Sequence, residues 1–301
     1  MPHVPELSLA RYLHGDDLAR CAFSEALMQG LQRFGFIILT DHGVPLGLLR
    51  DAYAAAEQVF ALDEAAKVGY AAGLRGYTPF GVEHAKDSAR PDLKEFWQIG
   101  HEGEGFNVNV WPEEVPAFRA TYGRLFDALN ETGVTLLQAL APGLGLPVNH
   151  FDAAVRRGTS LLRVLHYPPL QADVDPGCVR SAAHEDINFL TIMVAAAGPG
   201  LELLDRDGRW LPVETEPTNL IVDSGDMLAR ITGGRIPATT HRVVNPAGPN
   251  VSRYSMPFFM QPTRGTVLRV LDSCRGDGPA PPDVTAGEFL DERLRAIGLA
   301  A

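Results

Sequence analysis

Thr239-Thr240-His241-Arg242-Val243-Val244-Asn245 and, after a break rich in Pro, Gly and Asn, Arg253-Tyr254-Ser255-Met256-Pro257-Phe258-Phe259-Met260 form the stretch on which the fold turns. Both halves are short, β-branched or apolar, and bounded by turn formers, as the strands of an all-β unit are. The same rhythm runs back to Gly143, through the runs 161–167, 190–194, 201–204, 219–222 and 227–231. Strands this short at such even intervals predict a sandwich or barrel, and a jelly roll is one such solution.

Ahead of this unit the pattern is helical. Phe23, Leu27, Leu31 and Phe34 recur at helical spacing, and Gly35 is a natural stop. Phe36-Ile37-Ile38-Leu39 reads as a buried strand closed by Asp41-His42-Gly43. A second helix turns Leu49, Tyr53, Ala56 and Phe60 inward, and a long one runs from Val115 to about Leu140. Between Gly69 and Pro112 the pattern assigns no element. Thr285-Ala286-Gly287-Glu288 has the capping-box pattern and announces a C-terminal helix carrying Phe289, Leu290, Leu294 and Ile297. The expected organisation is one compact domain: a helical and irregular region over 1–115 packed on the core, a long helix plus jelly roll over 116–262 with the metal site within 158–262, and a C-terminal extension with its helix over 263–301.

Composition narrows the function. With 301 residues, 46% hydrophobic and 21% charged, this is an ordinary globular chain near the upper size for one core. A net charge of −11 argues against a nucleic-acid partner and gives any pocket arginine more weight. Cys21, Cys178 and Cys274 are far apart and odd in number, which predicts free thiols and a cytoplasmic location. The start has no signal-peptide pattern. The most apolar segment, 190–204, is interrupted by Gly198-Pro199-Gly200 and too short to span a bilayer, so no membrane role is expected. Oligomeric state is not legible.

The chemistry lies in two pairs. In extended chain, residues two apart share a face. His184 and Asp186 therefore stand side by side, Glu185 points away, and His241 comes from another strand. Two His and one carboxylate with open positions predict a non-haem Fe(II) site that takes a 2-oxo acid and O2. Zinc hydrolysis uses the same donor types, but here it lacks a clear general base and gives Arg253 no task. His-x-Asp alone is weak among nine histidines; its conjunction with a distal His and Arg253-Tyr254-Ser255 carries the reading. Arg253 offers a planar fork and Ser255 a hydroxyl on the same face, a carboxylate receptor that opens an otherwise apolar strand. Tyr167 is a candidate third donor.

At these residues the chain resembles the isopenicillin N synthase-like branch of the 2-oxoglutarate/Fe(II)-dependent oxygenases. The resemblance extends to Leu161-Leu162-Arg163-Val164-Leu165-His166-Tyr167-Pro168-Pro169, Ser224-Gly225-Asp226-Met227-Leu228, Thr232-Gly233-Gly234-Arg235, Thr240–Pro246 and Phe34–Val44, and is weakest over 70–111 and after Pro262. It implies a double-stranded β-helix (jelly-roll) core with flanking helices, iron on His184, Asp186 and His241, and 2-oxoglutarate held by Arg253, Ser255 and Tyr167. It also implies oxygenation of a small-molecule substrate by hydroxylation, desaturation or ring closure, with release of succinate and CO2. Asp226 and His42 match family positions and read as structural. Members without 2-oxoglutarate also carry Arg-x-Ser, and many plant members have a polar residue where Leu165 stands. The alternatives are such a member, a non-catalytic metal-binding jelly-roll sensor, and an oxygenase acting on a partner protein. For the primary substrate, the unassigned segment offers Arg75, Gly76, Tyr77, Glu83, His84, Lys94 and Trp97, with Phe189 and Phe258 as a possible apolar wall. Arg75 and Lys94 facing the site would favour an acidic substrate.

Overall fold

Alternation of apolar residues on short strands sorts this chain into two sheets facing one another, with helices on the outside of the larger. The computed structural model describes residues 3–84, 90–175, 177–196, 198–276 and 278–296. In chain order the first half comprises β1 (Glu6–Ser8), α1 (Leu9–His14), α2 (Asp17–Phe34), β2 (Phe36–Thr40), α3 (Leu46–Phe60), α4 (Glu64–Val68), β3 (Ala71–Ala72), β4 (Arg75–Thr78), β5 (Glu95–Gly100) and α5 (Ala117–Leu140). Then come α6 (Asp152–Val155), β6 (Leu161–Tyr167), β7 (Ser181–His184), β8 (Leu190–Val194), β9 (Leu201–Leu204), β10 (Trp210–Pro212), β11 (Leu220–Ser224), α7 (Asp226–Ile231), β12 (His241–Val243), β13 (Arg253–Met260), β14 (Val267–Leu268), β15 (Val284–Thr285) and α8 (Ala286–Ala296).

The large sheet runs β1-β2-β11-β8-β13-β6-β5-β4-β3 and the small one β10-β9-β12-β7. Period-two alternation assigns each strand two jobs. Trp97, Ile99, Leu162, Val164, Ile192, Val194, Val222, Met256 and Phe258 point outward and pack beneath the helices. Phe36, Ile38, Phe96, Leu165, Tyr167, Met193, Ala195 and Ile221 point inward and meet Leu201, Leu203 and Val243 of the small sheet. This is the expected jelly-roll arrangement, with strand order that crosses between distant parts of the sequence.

The helices follow from local signals. Asp16 caps α2 by accepting from the Ala19 N–H at 2.9 Å, and Phe23, Leu27 and Leu31 are its buried face. Gly35 ends it with φ of 65°, its N–H donating to Leu31. A Cβ at Gly35 would lie 2.0 Å from the Thr239 hydroxyl oxygen, so only glycine lets the helix end press against the strand leading to His241. The α5 helix starts at Ala117, two residues after the expected Val115, and buries Phe118, Tyr122, Leu125, Leu129, Leu136 and Leu140. The capping box closes as expected: Glu288 accepts from the Thr285 N–H at 2.9 Å while the Thr285 hydroxyl accepts from the Glu288 N–H at 3.2 Å. Ile297 lies outside the described residues.

Three expectations change. Residues 227–231 form part of helix α7 rather than a strand, because buried Met227, Leu228 and Ile231 fall at i, i+1 and i+4 with acidic Asp226 in the first turn. Only His241–Val243 of the 239–245 run is strand. The unassigned segment contains β3, β4 and β5, and β5 is buried along its whole length. No helix among the described residues is long and apolar enough to cross a membrane.

Candidate metal centre and carboxylate pocket

Strand pairing brings the proposed ligands together. His241, the first residue of β12, lies opposite His184, the last of β7. Asp186 follows two residues later, and one ligand atom from each of the three lies within 4.8 Å of the others. The His184 and His241 Nε2 atoms are 3.5 and 3.8 Å from Asp186 Oδ1. Each Nδ1 faces a backbone carbonyl, His184 that of Ala182 at 2.8 Å and His241 that of Thr239 at 3.1 Å. A carbonyl only accepts, so both Nδ1 atoms carry hydrogen and both Nε2 lone pairs point into the cluster. Burial and then the neighbouring His184 push the His241 imidazole down to about 4, leaving it neutral at ordinary pH. The donor set, neutral nitrogens around one carboxylate, fits a divalent ion of borderline softness.

The carboxylate is fixed from behind. Thr191 donates to Asp186 Oδ2, and Asn188 donates to Thr191 at 2.8 Å. Asp223, on the inner face of β11, is buried beside them, and burial and then the Asp186 charge raise its carboxyl well above the usual range. Sequence reasoning missed Asp223, although an acid at an inward position of Leu220-Ile221-Val222-Asp223 was a visible anomaly. Glu185 takes a hydrogen bond from Thr240 at 3.2 Å on the exposed side. Asp226 begins α7 and sits 3.2 Å from Arg293, and the His42 ring bonds the Thr218 carbonyl and the Val44 N–H, both structural tasks.

Arg253 opens β13 directly opposite Tyr167 of β6. Its guanidinium carbon lies 5.2 Å from the Tyr167 ring centre, and its Nε and Nη1 have no hydrogen-bond partner although the residue is only 3% exposed. Burial lowers its pKa and the nearby tyrosine hydroxyls oppose that. It borders a cavity of about 310 Å3 lined also by Ala195, Leu201, Val213 and Ile221. Ser255, one inward position along, is buried, its hydroxyl 3.0 Å from the Met193 sulfur.

A second polar group occupies the inner face of β5 and β6. Arg163 donates from Nη1 to both Glu83 oxygens at 3.0 Å and from Nη2 to Gln98 at 3.0 Å. Phe96 and Phe259 flank its guanidinium at 4.1 and 5.5 Å. Lys94 is 2.8 Å from Glu83 and 2.7 Å from Asp92, whose other oxygen accepts the Ala182 N–H at 2.9 Å. The network thus braces the strand that carries His184. Burial works to raise Glu83, but Arg163 and Lys94 overcome it and hold the carboxyl at about 2; His184 is near enough to contribute.

Of the substrate candidates, Glu83 and Lys94 belong to this inner network. Trp97 and Tyr77 do not: Trp97 is fully buried on the outer face with Nε1 on the Val110 carbonyl at 2.9 Å, and Tyr77 bonds Glu95 and Glu64. Arg75 is packed over Gly100 and donates to the Leu74 carbonyl. Phe258 packs on Phe126 and Phe189 on Phe151, so both are core. Arg163, Phe96 and Phe259 were missed, though Arg163 was legible as a cation at an inward position of an apolar strand.

Comparisons agree with this geometry. The family model described as 2OG-Fe(II) oxygenase superfamily matches residues 158–262, and that described as non-haem dioxygenase in morphine synthesis N-terminal matches 4–114. The chain is 31% identical over 294 residues to the 2-oxoglutarate-dependent dioxygenase ecdK of Aspergillus rugulosus, covering 87% of this chain and 89% of that one. It superposes on a 2OG-Fe(II) oxygenase family protein of Caulobacter crescentus with TM-score 0.87 and 38% identity, over 97% and 98% of the two chains. A full-length Neurospora crassa protein in complex with alpha-KG and thymine gives TM-score 0.89 at 26% identity, over 97% and 96%.

Proposed function

Because the chain belongs to the 2OG-Fe(II) oxygenase superfamily and is a 2-oxoglutarate-dependent dioxygenase, we propose which of its residues do the work: His184, Asp186 and His241 hold the ferrous ion, and Arg253, Ser255 and Tyr167 hold the far carboxylate of 2-oxoglutarate. Iron and cosubstrate together supply oxidation by O2, giving succinate, CO2 and a hydroxylated, desaturated or cyclised product. The observation that carries the assignment is the convergence of two Nε2 lone pairs on one Thr191-anchored carboxylate. Hydrogen bonds from each His Nδ1 to a carbonyl fix the tautomer and the ring plane. Met193, Leu203, Ile221 and Val243 line the interior and exclude bulk water.

The primary substrate is a small polar molecule without net charge, seated against the inner polar group of Glu83, Arg163 and Gln98. Of the two cations expected to attract an acid, Lys94 is neutralised by Glu83 and Asp92 and Arg75 is packed over Gly100; Arg163 is paired with Glu83. The three free thiols favour a reducing compartment such as the cytoplasm. Succinate release measured over a panel of neutral and acidic small molecules tests the substrate class: neutral polar compounds are expected to stimulate it, and selective stimulation by acids would overturn the class. In the same assay Asp186→Ala and His241→Ala are expected to abolish succinate release; retention of activity in either would overturn the ligand assignment.

A further inference from the structure

Arg180, just ahead of β7, is 3% exposed, as is Arg253, although it lies nearer the surface of the barrel. Its Nη2 donates to the Val251 carbonyl at 2.7 Å, while its Nε has no partner. Val251 stands two residues before Arg253, and the Arg180 N–H is tied to Asn245 at 3.1 Å, so both arginines are held at the same end of the barrel. Burial and then the Arg253 charge lower the Arg180 pKa, and Tyr167 opposes that shift. Among the described residues no carboxylate pairs with either guanidinium, whereas the buried lysines Lys67 and Lys94 are both ion-paired; buried Arg75, also without a carboxylate, lies away from this pocket over Gly100. Two like charges out of water with no acid beside them are strongly unfavourable unless an anion joins them.

Resting on the carboxylate role given to Arg253, we propose that Arg180 is a positioning residue of the same pocket: its charge, acting on the carboxylate that Arg253 grips, sets the preference for dicarboxylic over monocarboxylic 2-oxo acids. A monocarboxylic 2-oxo acid presents no charge at that end and gains nothing from a second cation. The diacid gains attraction in a region where charges are poorly screened. Arg180 needs no direct contact for this, since a poorly screened charge acts over several ångströms.

The test uses the metal-free full chain and glutarate, which has the far carboxylate but no keto group and so reports this end of the pocket alone. Calorimetric titration compares wild type with Arg180→Gln, Arg180→Lys and Arg253→Gln. Arg180→Gln, which can still donate to Val251, is expected to weaken glutarate about tenfold and flatten the salt dependence of binding. Arg180→Lys, which keeps the charge and loses the fork, is expected to stay within about threefold. Wild-type affinity in Arg180→Gln alongside lost binding in Arg253→Gln would overturn the role of Arg180. Wild-type affinity in Arg253→Gln would instead overturn the carboxylate reading on which it rests. Should Arg180→Gln fail to fold, a tenfold loss in Arg180→Lys would overturn the proposal, because a purely structural bond to Val251 is then the better account.

Discussion

Replacing Arg253 by Met is expected to make the metal-free protein more stable and nearly unable to bind its cosubstrate. The guanidinium is 3% exposed and leaves Nε and Nη1 without acceptors. Each orphaned buried donor costs about 1–3 kcal/mol, and a thioether of similar length removes both penalties. What is lost is the cation–π contact at 5.2 Å with Tyr167, about 0.5–1 kcal/mol. The net gain is about 1–5 kcal/mol, a rise of several degrees in melting temperature for a chain of this size. Two charge-assisted bonds to a carboxylate contribute about 1.5–3 kcal/mol each, so the Kd for 2-oxoglutarate should rise by about 10²–10⁴. Scanning calorimetry of the metal-free variant and titration with 2-oxoglutarate read the two effects separately. A variant that melts below wild type and binds 2-oxoglutarate within threefold would refute the idea that Arg253 is a strained receptor waiting for an anion.

A Cβ at Gly225 would lie 2.5 Å from the Asn188 carbonyl oxygen and 2.8 Å from that of Asp186. Gly225→Ala should therefore destabilise by about 1–3 kcal/mol and weaken Fe(II) binding by displacing Asp186, measured by denaturant titration and by equilibrium dialysis. Glu83 is held at about 2 against its ordinary 4.5, so its stabilisation is complete above about 4.5 and disappears as pH falls toward 2. Glu83→Gln should accordingly lose roughly 3 kcal/mol at neutral pH and converge with wild type in acid, as urea melts across pH will show. Glu288→Ala removes the capping box and should cost about 0.5–2 kcal/mol without changing the iron site, checked by melting and by metal affinity.

What the sequence made legible was whatever a period or a pair could encode. The i, i+2 pairs His184/Asp186 and Arg253/Ser255 fixed faces, and inward–outward alternation along 161–167 and 253–260 fixed the two layers. Residues 227–231 misled because a six-residue helix is too short to display a period against a background of short apolar runs. The segment holding β3 to β5 was opaque for a different reason. β3 is an exposed pair of alanines, and β5 is buried on both faces, Trp97 beneath α5 and Phe96 inside the barrel, so no alternation of apolar and polar residues marks either. The inner polar network was hardest, since Glu83, Lys94 and Arg163 are ordinary charged residues until the fold turns them inward to pair. The orphaned state of Arg253 is likewise a property of three dimensions alone.

The most direct measurement is an anaerobic titration of the purified chain with Fe(II) in the presence of excess 2-oxoglutarate, followed by visible absorption. A charge-transfer band saturating at about one equivalent of iron is expected in wild type and absent in His184→Ala, Asp186→Ala and His241→Ala, each with unchanged far-ultraviolet dichroism. The same band, with undiminished iron affinity, in any of the three variants would contradict the account.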